Sequence, residues 1–397
     1  MEQNLVLEFQ QFIIYVNFSG TCQAFLTVSV TSEHFNSGRD VFQIYQNILH
    51  ILNKYDLQIV HERLFGSNTE REKILSVRSK VISSAGINDE VPVTFIQGQP
   101  VWGQGLAGIQ IQALKLKNSE DKIWIVKEND KACGRGWKYD GQYFILLQNI
   151  YGNQNSPGEF DNRKYQTAEM FERAQRIINS YGGSFRNVVR TWIYLNNILD
   201  WYDDFNTIRN EKFKEFRLLA NSPNGKLAEE IYLPSSTGIE GDNPVGASAV
   251  MDLLAVVPNG GGAPKIFQTT GVKQKSPYRY NSAFSRAMTL DFKDMKQVLI
   301  SGTAAIDENG KSLHPGDARS QVKKTLEVVE YLVADTGASL HDICGATLFL
   351  KQAGDYPVYL EVLKERNLSK LPAVCMVADV CRDELLVELD AIISIDK

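Results

Sequence analysis

The sequence predicts an α+β protein made of repeated copies of one module. Three observations lead there. At 397 residues the chain exceeds one ordinary module and suits two or three. Apolar runs of strand length alternate with stretches whose apolar residues recur at helical spacing. The order of these elements, clearest near the C-terminus, recurs upstream.

The C-terminal segment, 266–397, is the template. Val298–Ser301 reads as a strand, and His314-Pro315-Gly316-Asp317 leads into a helix carrying Val322, Leu326, Val329 and Leu332 on one face. Gly337 supplies a left-handed stop. Ala346–Leu350 follows as a strand, Tyr356–Lys364 as a second helix, and Val374–Ala378 and Leu385–Ile393 as closing strands. The middle segment, 141–265, repeats this order. Phe144–Gln148, Val189–Leu195 and Ala247–Val257 read as strands, and Ala168–Ser180 and Trp201–Phe216 as helices, with a polar insertion at Asn221–Lys226. The first segment, 1–140, repeats it more faintly. Strands are expected at Ala24–Val30, Leu57–Phe65, Val93–Gln97 and Gly108–Lys115, and helices at Val41–Lys54 and Glu72–Ser84. Asn118–Asp140 reads as a linker or edge excursion. The alternative is two related modules behind an unrelated α+β domain. A sheet covered by helices on one face must bury the other. Three copies can do so around a shared axis, as an intramolecular pseudo-trimer with sites in the clefts between modules; further oligomerisation stays open.

Composition narrows the function. Hydrophobic residues make up 43% of the chain and aromatics 10%, enough for a large core. A net charge of −5 without basic blocks argues against nucleic acid. The longest apolar runs, such as Leu253–Val257, are strand-length and span no bilayer. Glu2 precedes the first apolar residues without a basic segment, which reads as no secretory signal. The cysteines, Cys22, Cys133, Cys344, Cys375 and Cys381, form no CxxC pair and read as reduced cytoplasmic thiols. His34, His50, His61, His314 and His341 show no metal spacing. Gly260-Gly261-Gly262 open no phosphate-binding helix and read as an inter-module loop. No cofactor or metal is expected.

The C-terminal copy resembles the YjgF/RidA family. The matching features include Ser301-Gly302-Thr303, Pro315-Gly316-Asp317, Gln321 and Thr325, Gly337-Ala338-Ser339-Leu340, Leu371-Pro372-Ala373 and Leu386-Val387-Glu388-Leu389. The family's imine deaminases carry an arginine directly after Pro-Ala, where this chain has Val374. A narrower resemblance is to the chorismatases, YjgF-like enzymes that release pyruvate from chorismate. It rests on Arg190-Thr191-Trp192-Ile193-Tyr194, Phe205-Asn206-Thr207-Ile208-Arg209, Asn281-Ser282-Ala283-Phe284-Ser285-Arg286-Ala287, Ser301-Gly302-Thr303-Ala304-Ala305-Ile306 and Ala378-Asp379-Val380-Cys381-Arg382.

That resemblance implies a small dicarboxylate substrate and a catalytic glutamate at Glu388. Leu386, Val387 and Leu389 adjoin Glu388 in the pattern of a buried strand, where desolvation keeps a carboxyl protonated near neutrality. Its structural alternative is an outward glutamate or an acceptor for a neighbouring module. Arg286 is the first candidate clamp for a substrate carboxylate. Tyr278, Tyr280 and Arg209 are further candidates, and Lys351 stands where the family tends to arginine. Each cation is alternatively a surface or inter-module salt-bridge residue, and Arg190 and Arg382 read as structural. The family's Gly-Pro-Arg-Ser turn is replaced by Tyr278-Arg279-Tyr280-Asn281, which leaves room for a related cyclic acid. Cys381 resembles the subtype yielding 3-hydroxybenzoate. Ala304 or Ala305 stands where that subtype favours glycine, leaving a dihydroxycyclohexadiene carboxylate open. Asp252 is expected to hold, as a vestige, the place in the middle copy that Glu388 holds in the last. The rival functions are a RidA-type imine deaminase or other small cyclic-acid hydrolase, and a non-catalytic small-molecule binder.

Overall fold

The structure is a computed structural model that describes residues 3–116, 122–153, 162–219, 232–259, 264–269, 277 and 282–397. It contains three sheets. The first module comprises β1 (Leu5–Glu8), β2 (Phe12–Ser19), β3 (Gln23–Val30), α1 (Arg39–Tyr55), β4 (Leu57–Gly66), α2 (Arg71–Ser84), β5 (Thr94–Gln97), the short β6 (Gln99–Pro100) and β7 (Leu106–Lys115). The second comprises β8 (Trp124–Glu128), β9 (Lys131–Tyr139), β10 (Gln142–Ile150), α3 (Asn162–Ser180), β11 (Val188–Leu195), α4 (Tyr202–Glu215), β12 (Ser235–Glu240) and β13 (Ala249–Pro258). The third comprises β14 (Lys265–Thr269), β15 (Ala287–Asp291), β16 (Met295–Ala304), α5 (Ala318–Val333), β17 (Ile343–Leu350), α6 (Tyr356–Glu365), β18 (Ala373–Val377) and β19 (Val387–Asp396).

The three sheets share one strand order: β1-β2-β3-β7-β4-β5, β12-β11-β13-β10-β9-β8 read in reverse, and β14-β15-β16-β19-β17-β18, to which β6 of the first module adds an edge. In each sheet a single parallel pair, β4 with β5, β11 with β12 and β17 with β18, marks the crossover that carries the second helix. The first module is therefore a third copy and not an unrelated domain. Asn118–Asp140 divides differently from expectation. Strands β8 and β9 hydrogen-bond into the second sheet through β10, so sheet membership changes between Lys115 and Trp124 and not at residue 140. The insertion at Asn221–Lys226 and Gly260-Gly261-Gly262 lie outside the described residues.

Each pair of helices buries its apolar stripe on one face of its own sheet, giving three separate helix-side cores. The opposite faces meet in one central core. Val60, Phe65 and Ile96 of the first module, Trp137, Trp192 and Tyr194 of the second, and Leu299, Phe349 and Met376 of the third all belong to it. Non-directional burial of apolar surface is what holds the modules together.

Strand register fixes which residues are equivalent around the axis. A bulge near the start of β4, β11 and β17 aligns Ile59, Val188 and Ile343, opposite Ala113, Ala255 and Ile393. Counting from there, Gln110, Asp252 and Asp390 occupy one position, opposite Arg63, Trp192 and Thr347. Two residues earlier on the same face, the equivalent positions are Gly108, Val250 and Glu388. Asp252 is thus the counterpart of Asp390, and the expectation that it stands in the place of Glu388 is corrected: Val250 stands there.

The shared polar position joins each module to the next. Asp252 of the second module meets His61 Nε2 of the first at 2.8 Å, and Asp390 of the third accepts from Arg190 Nη2 of the second at 3.0 Å. Closing the cycle, Gln110 Nε2 of the first donates to the carbonyl of Ala346 in the third at 2.6 Å. Asp252 also accepts from the Thr94 hydroxyl and the Asn149 amide, both at 2.9 Å. Removing a buried acceptor leaves its donors unsatisfied. Asp252→Ala is therefore expected to cost about 1–3 kcal/mol, read as a lowered urea midpoint; an unchanged midpoint would contradict the inter-module role.

Candidate active site

Glu388 lies near the start of β19, with Ala304 of β16 on one side and Phe349 of β17 on the other in the sheet. It is 5% exposed. Alternation on β19 turns Glu388 and Asp390 to the same face, towards β12 of the second module. The two carboxyls then diverge in surroundings. Asp390 accepts from Arg190 Nη2, from the Thr237 hydroxyl at 2.8 Å and from the Thr347 amide at 3.2 Å. Arg190 Nη2 also donates to Thr237 at 2.6 Å, so the three side chains form a closed inter-module triad. Glu388 has no hydrogen bond or ion pair among the described residues.

Burial therefore raises the Glu388 carboxyl to about 8, and the neighbouring Asp390 charge pushes the same way; the Arg190 and Arg286 guanidiniums oppose the rise without cancelling it. Gly302 makes room for this carboxyl. A Cβ there would lie 2.0 Å from Glu388 Oε1 and 2.9 Å from its carboxyl carbon. The opposite wall comes from the second module, where a Gly302 Cβ would also touch Thr237 at 3.4 Å. Ser301 closes the seam below by accepting from the Ser236 amide at 2.8 Å and donating to the Ser285 carbonyl at 2.6 Å.

Three of the cations named from sequence come close to this seam or to its rim. Arg286 directly precedes β15, is 5% exposed, and its carbonyl accepts from the Ser301 amide at 3.0 Å. Arg209, on α4, is 1% exposed and donates to Asn206 Oδ1 at 2.5 Å, while its Nε has no acceptor among the described residues. Both guanidiniums adjoin the Phe284 ring, at 5.9 Å for Arg286 and 5.5 Å for Arg209. Elements far apart in sequence thus bring Arg209, Arg286 and Glu388 to one region. Lys351 differs: its ammonium contacts Asp383 Oδ1 at 3.0 Å and Asp379 at 3.5 Å, so its charge is already compensated. Tyr278 and Tyr280 lie outside the described residues, as does Arg279.

Ala304 is buried and directly paired with Glu388. The Cys381 thiol is pushed up to about 12, chiefly by burial and then by the Glu388 charge, which leaves it protonated and poorly nucleophilic. Tyr202 is a neighbour that the sequence did not suggest. Burial raises its phenol, with smaller influences from Cys381, Arg209 and Glu388. Arg190 was read as structural, and its bond to Asp390 is an inter-module tie. It also acts on Glu388 electrostatically, a role visible only once its bond to Asp390 brings β11 to β19.

The other two inter-module positions are apolar. Val250 sits in the central core, and a Cβ on Gly108 would meet Val374 at 2.7 Å. Val374 thus packs onto the first module where the imine deaminases have their arginine. Of the three equivalent positions, the one in the third module alone is ionisable.

Residues 278–395 match the family model described as Endoribonuclease L-PSP. A 3-aminoacrylate deaminase RutC from Acinetobacter baylyi is 30% identical over 96 residues, covering 24% of this chain and 76% of that protein. A 3-hydroxybenzoate synthase from Streptomyces hygroscopicus is 25% identical over 300 residues, covering 68% of this chain and 81% of that protein. A crystal structure of a chorismatase shares the fold with a TM-score of 0.58 at 17% identity, over 85% of this chain and 93% of that one. The chain belongs to the YjgF/RidA family, and it shares the chorismatase fold. No helix among the described residues is long and apolar enough to cross a membrane.

Two measurements check this geometry. Gly302→Ala is expected to displace the Glu388 carboxyl while the chain still folds, seen as a shifted Glu388 titration with an unchanged far-UV spectrum. The second concerns stability. A carboxyl raised to about 8 holds a proton in the folded state that the unfolded chain has released above the usual carboxylate range. Wild-type stability should therefore fall relative to Glu388→Gln as pH rises from about 4.5 to about 8, then level off. A flat difference across that window would show that Glu388 is ionised throughout.

Proposed function

We propose that the chain cleaves the enolpyruvyl ether of chorismate, releasing pyruvate, with Glu388 as general acid and base. The observation that carries this is a buried, unpartnered carboxyl raised to about 8 beside Arg286. An enol ether is cleaved by protonating its terminal methylene carbon, which needs an acid still holding its proton near neutrality. Glu388 delivers that proton and becomes the carboxylate, and the ether carbon becomes an oxocarbenium ion. Water adds to this carbon and returns a proton to Glu388. The resulting hemiketal breaks its bond to the ring oxygen to give pyruvate and the ring alcohol. The negative charge left on Glu388 stabilises the cation formed opposite it.

The two substrate carboxylates need cationic clamps, and Arg286 and Arg209, both beside Phe284, are assigned to one of them. Lys351, already paired with two aspartates, is assigned a structural part at the rim. The hydrolytic route consumes one water and yields a dihydroxycyclohexadiene carboxylate. The aromatising route adds to the same hydrolysis the loss of the ring C4 hydroxyl as water and of the C3 hydrogen as a proton, which yields 3-hydroxybenzoate with no net water. Cys381, electrostatically coupled to Glu388, and the similarity to a 3-hydroxybenzoate synthase favour the aromatic product. An imine deaminase reading is disfavoured by Val374, which is apolar and fully buried.

The test is pyruvate release from chorismate with chromatography of the second product. Wild type is expected to form pyruvate and 3-hydroxybenzoate, and Glu388→Gln to lose at least about 100-fold in kcat. The kcat/KM profile should decline as pH rises through about 8, because the free enzyme must hold the proton on Glu388. Absence of pyruvate at any enzyme concentration would refute the assignment.

A further inference from the structure

Where the three modules meet, the chain holds buried guanidinium N–H groups that find no acceptor in the Glu388 seam. A cavity of about 30 Å³ lies among His61, Arg63, Gln110, Arg190, Trp192 and Asp390, which come from all three modules. Arg63 and Arg190 are 5% and 1% exposed, and their guanidinium carbons lie 4.6 and 4.9 Å from the centre of the Trp192 ring. The two are close enough for the Arg63 charge to disfavour that of Arg190.

Their hydrogen bonding is incomplete. Arg63 donates from Nη1 to the Tyr194 hydroxyl at 2.9 Å and from Nη2 to Gln110 Oε1 at 2.5 Å, both neutral acceptors. It makes no ion pair among the described residues. Arg63 Nε, Arg190 Nε and Arg190 Nη1 are buried and meet no acceptor among the described residues. Of the nearby carboxyls, Asp390 is committed to Arg190 Nη2, Thr237 and the Thr347 amide, Asp252 to His61, Thr94 and the Asn149 amide, and Glu388 keeps its proton. A buried donor without an acceptor is costly, and a buried guanidinium without a counter-charge more so.

We infer that this axial cavity is a binding site for one small monovalent inorganic anion of the size of chloride. Such an ion accepts from several N–H groups and donates to none, which is what three unmatched donors require. The cavity admits about one ion or water of that size and is too small for an organic carboxylate. The ion would touch arginines of two modules and lie beside the third, tying the pseudo-trimer at its centre.

The test uses the full chain. Thermal unfolding is followed at constant ionic strength while gluconate is exchanged for chloride or bromide, and crystals are soaked in bromide for anomalous diffraction. The expected result is a saturable rise in Tm of about 2–4 °C with chloride or bromide, absent in Arg63→Gln, and a bromide peak between Arg63 and Arg190. A Tm indifferent to which anion is present would overturn the site. So would crystals with no anomalous peak at the axis, since the cavity would then hold water only. Should Arg63→Gln fail to fold, the bromide peak in wild type decides alone.

Discussion

The bare face of each sheet has to be buried against the other two modules, and this constraint determines where charge sits in the molecule. Apolar residues from all three modules fill most of the junction. Polar groups there pair across modules, as Asp252 does with His61 and Asp390 with Arg190. Glu388 differs, a carboxyl on the same strand face as Asp390 that accepts no hydrogen bond among the described residues. Its retained proton follows from that omission. The same packing that satisfies Asp390 leaves Glu388 acidic near neutrality, so two carboxyls two residues apart are given different chemical characters by their surroundings.

Pseudo-symmetry sharpens the point. Gly108, Val250 and Glu388 are equivalent by register, yet the first accommodates Val374, the second joins the central core, and the third faces Arg190 and Arg286. A symmetric trimer must keep three identical clefts. Fusing the copies into one chain lets two clefts serve cohesion while the third carries ionisable groups whose burial is unfavourable. The hydrophobic contacts of the first two stabilise the assembly that holds the third together.

Much of this was legible in the sequence. Helices such as Arg39–Tyr55 and Ala318–Val333 follow directly from apolar spacing, and the three-copy count follows from element order. The edge strands β1 and β14 are not legible there, and β8 only as part of an edge excursion, because short half-exposed segments carry a weak periodic signal and gain their stability from pairing. The place of Asp252 depends on strand pairing, since an offset of two residues keeps the same face of a strand but changes the neighbour. Glu388 itself was suggested by its apolar flanks and by family resemblance. The roles of Arg190, Tyr202 and Gly302 depend on contacts between elements 47 to 200 residues apart in the chain, which no local pattern encodes.

The central claim is that Glu388 holds its proton at neutral pH because its module junction offers it no partner. Infrared difference spectroscopy between wild type and Glu388→Gln reads that proton directly through the carbonyl stretch of a protonated carboxyl. The account predicts one such band at pH 7 that fades as pH rises through about 8. A spectrum with no protonated carboxyl at pH 7, and only a carboxylate signal assigned to Glu388, would contradict it.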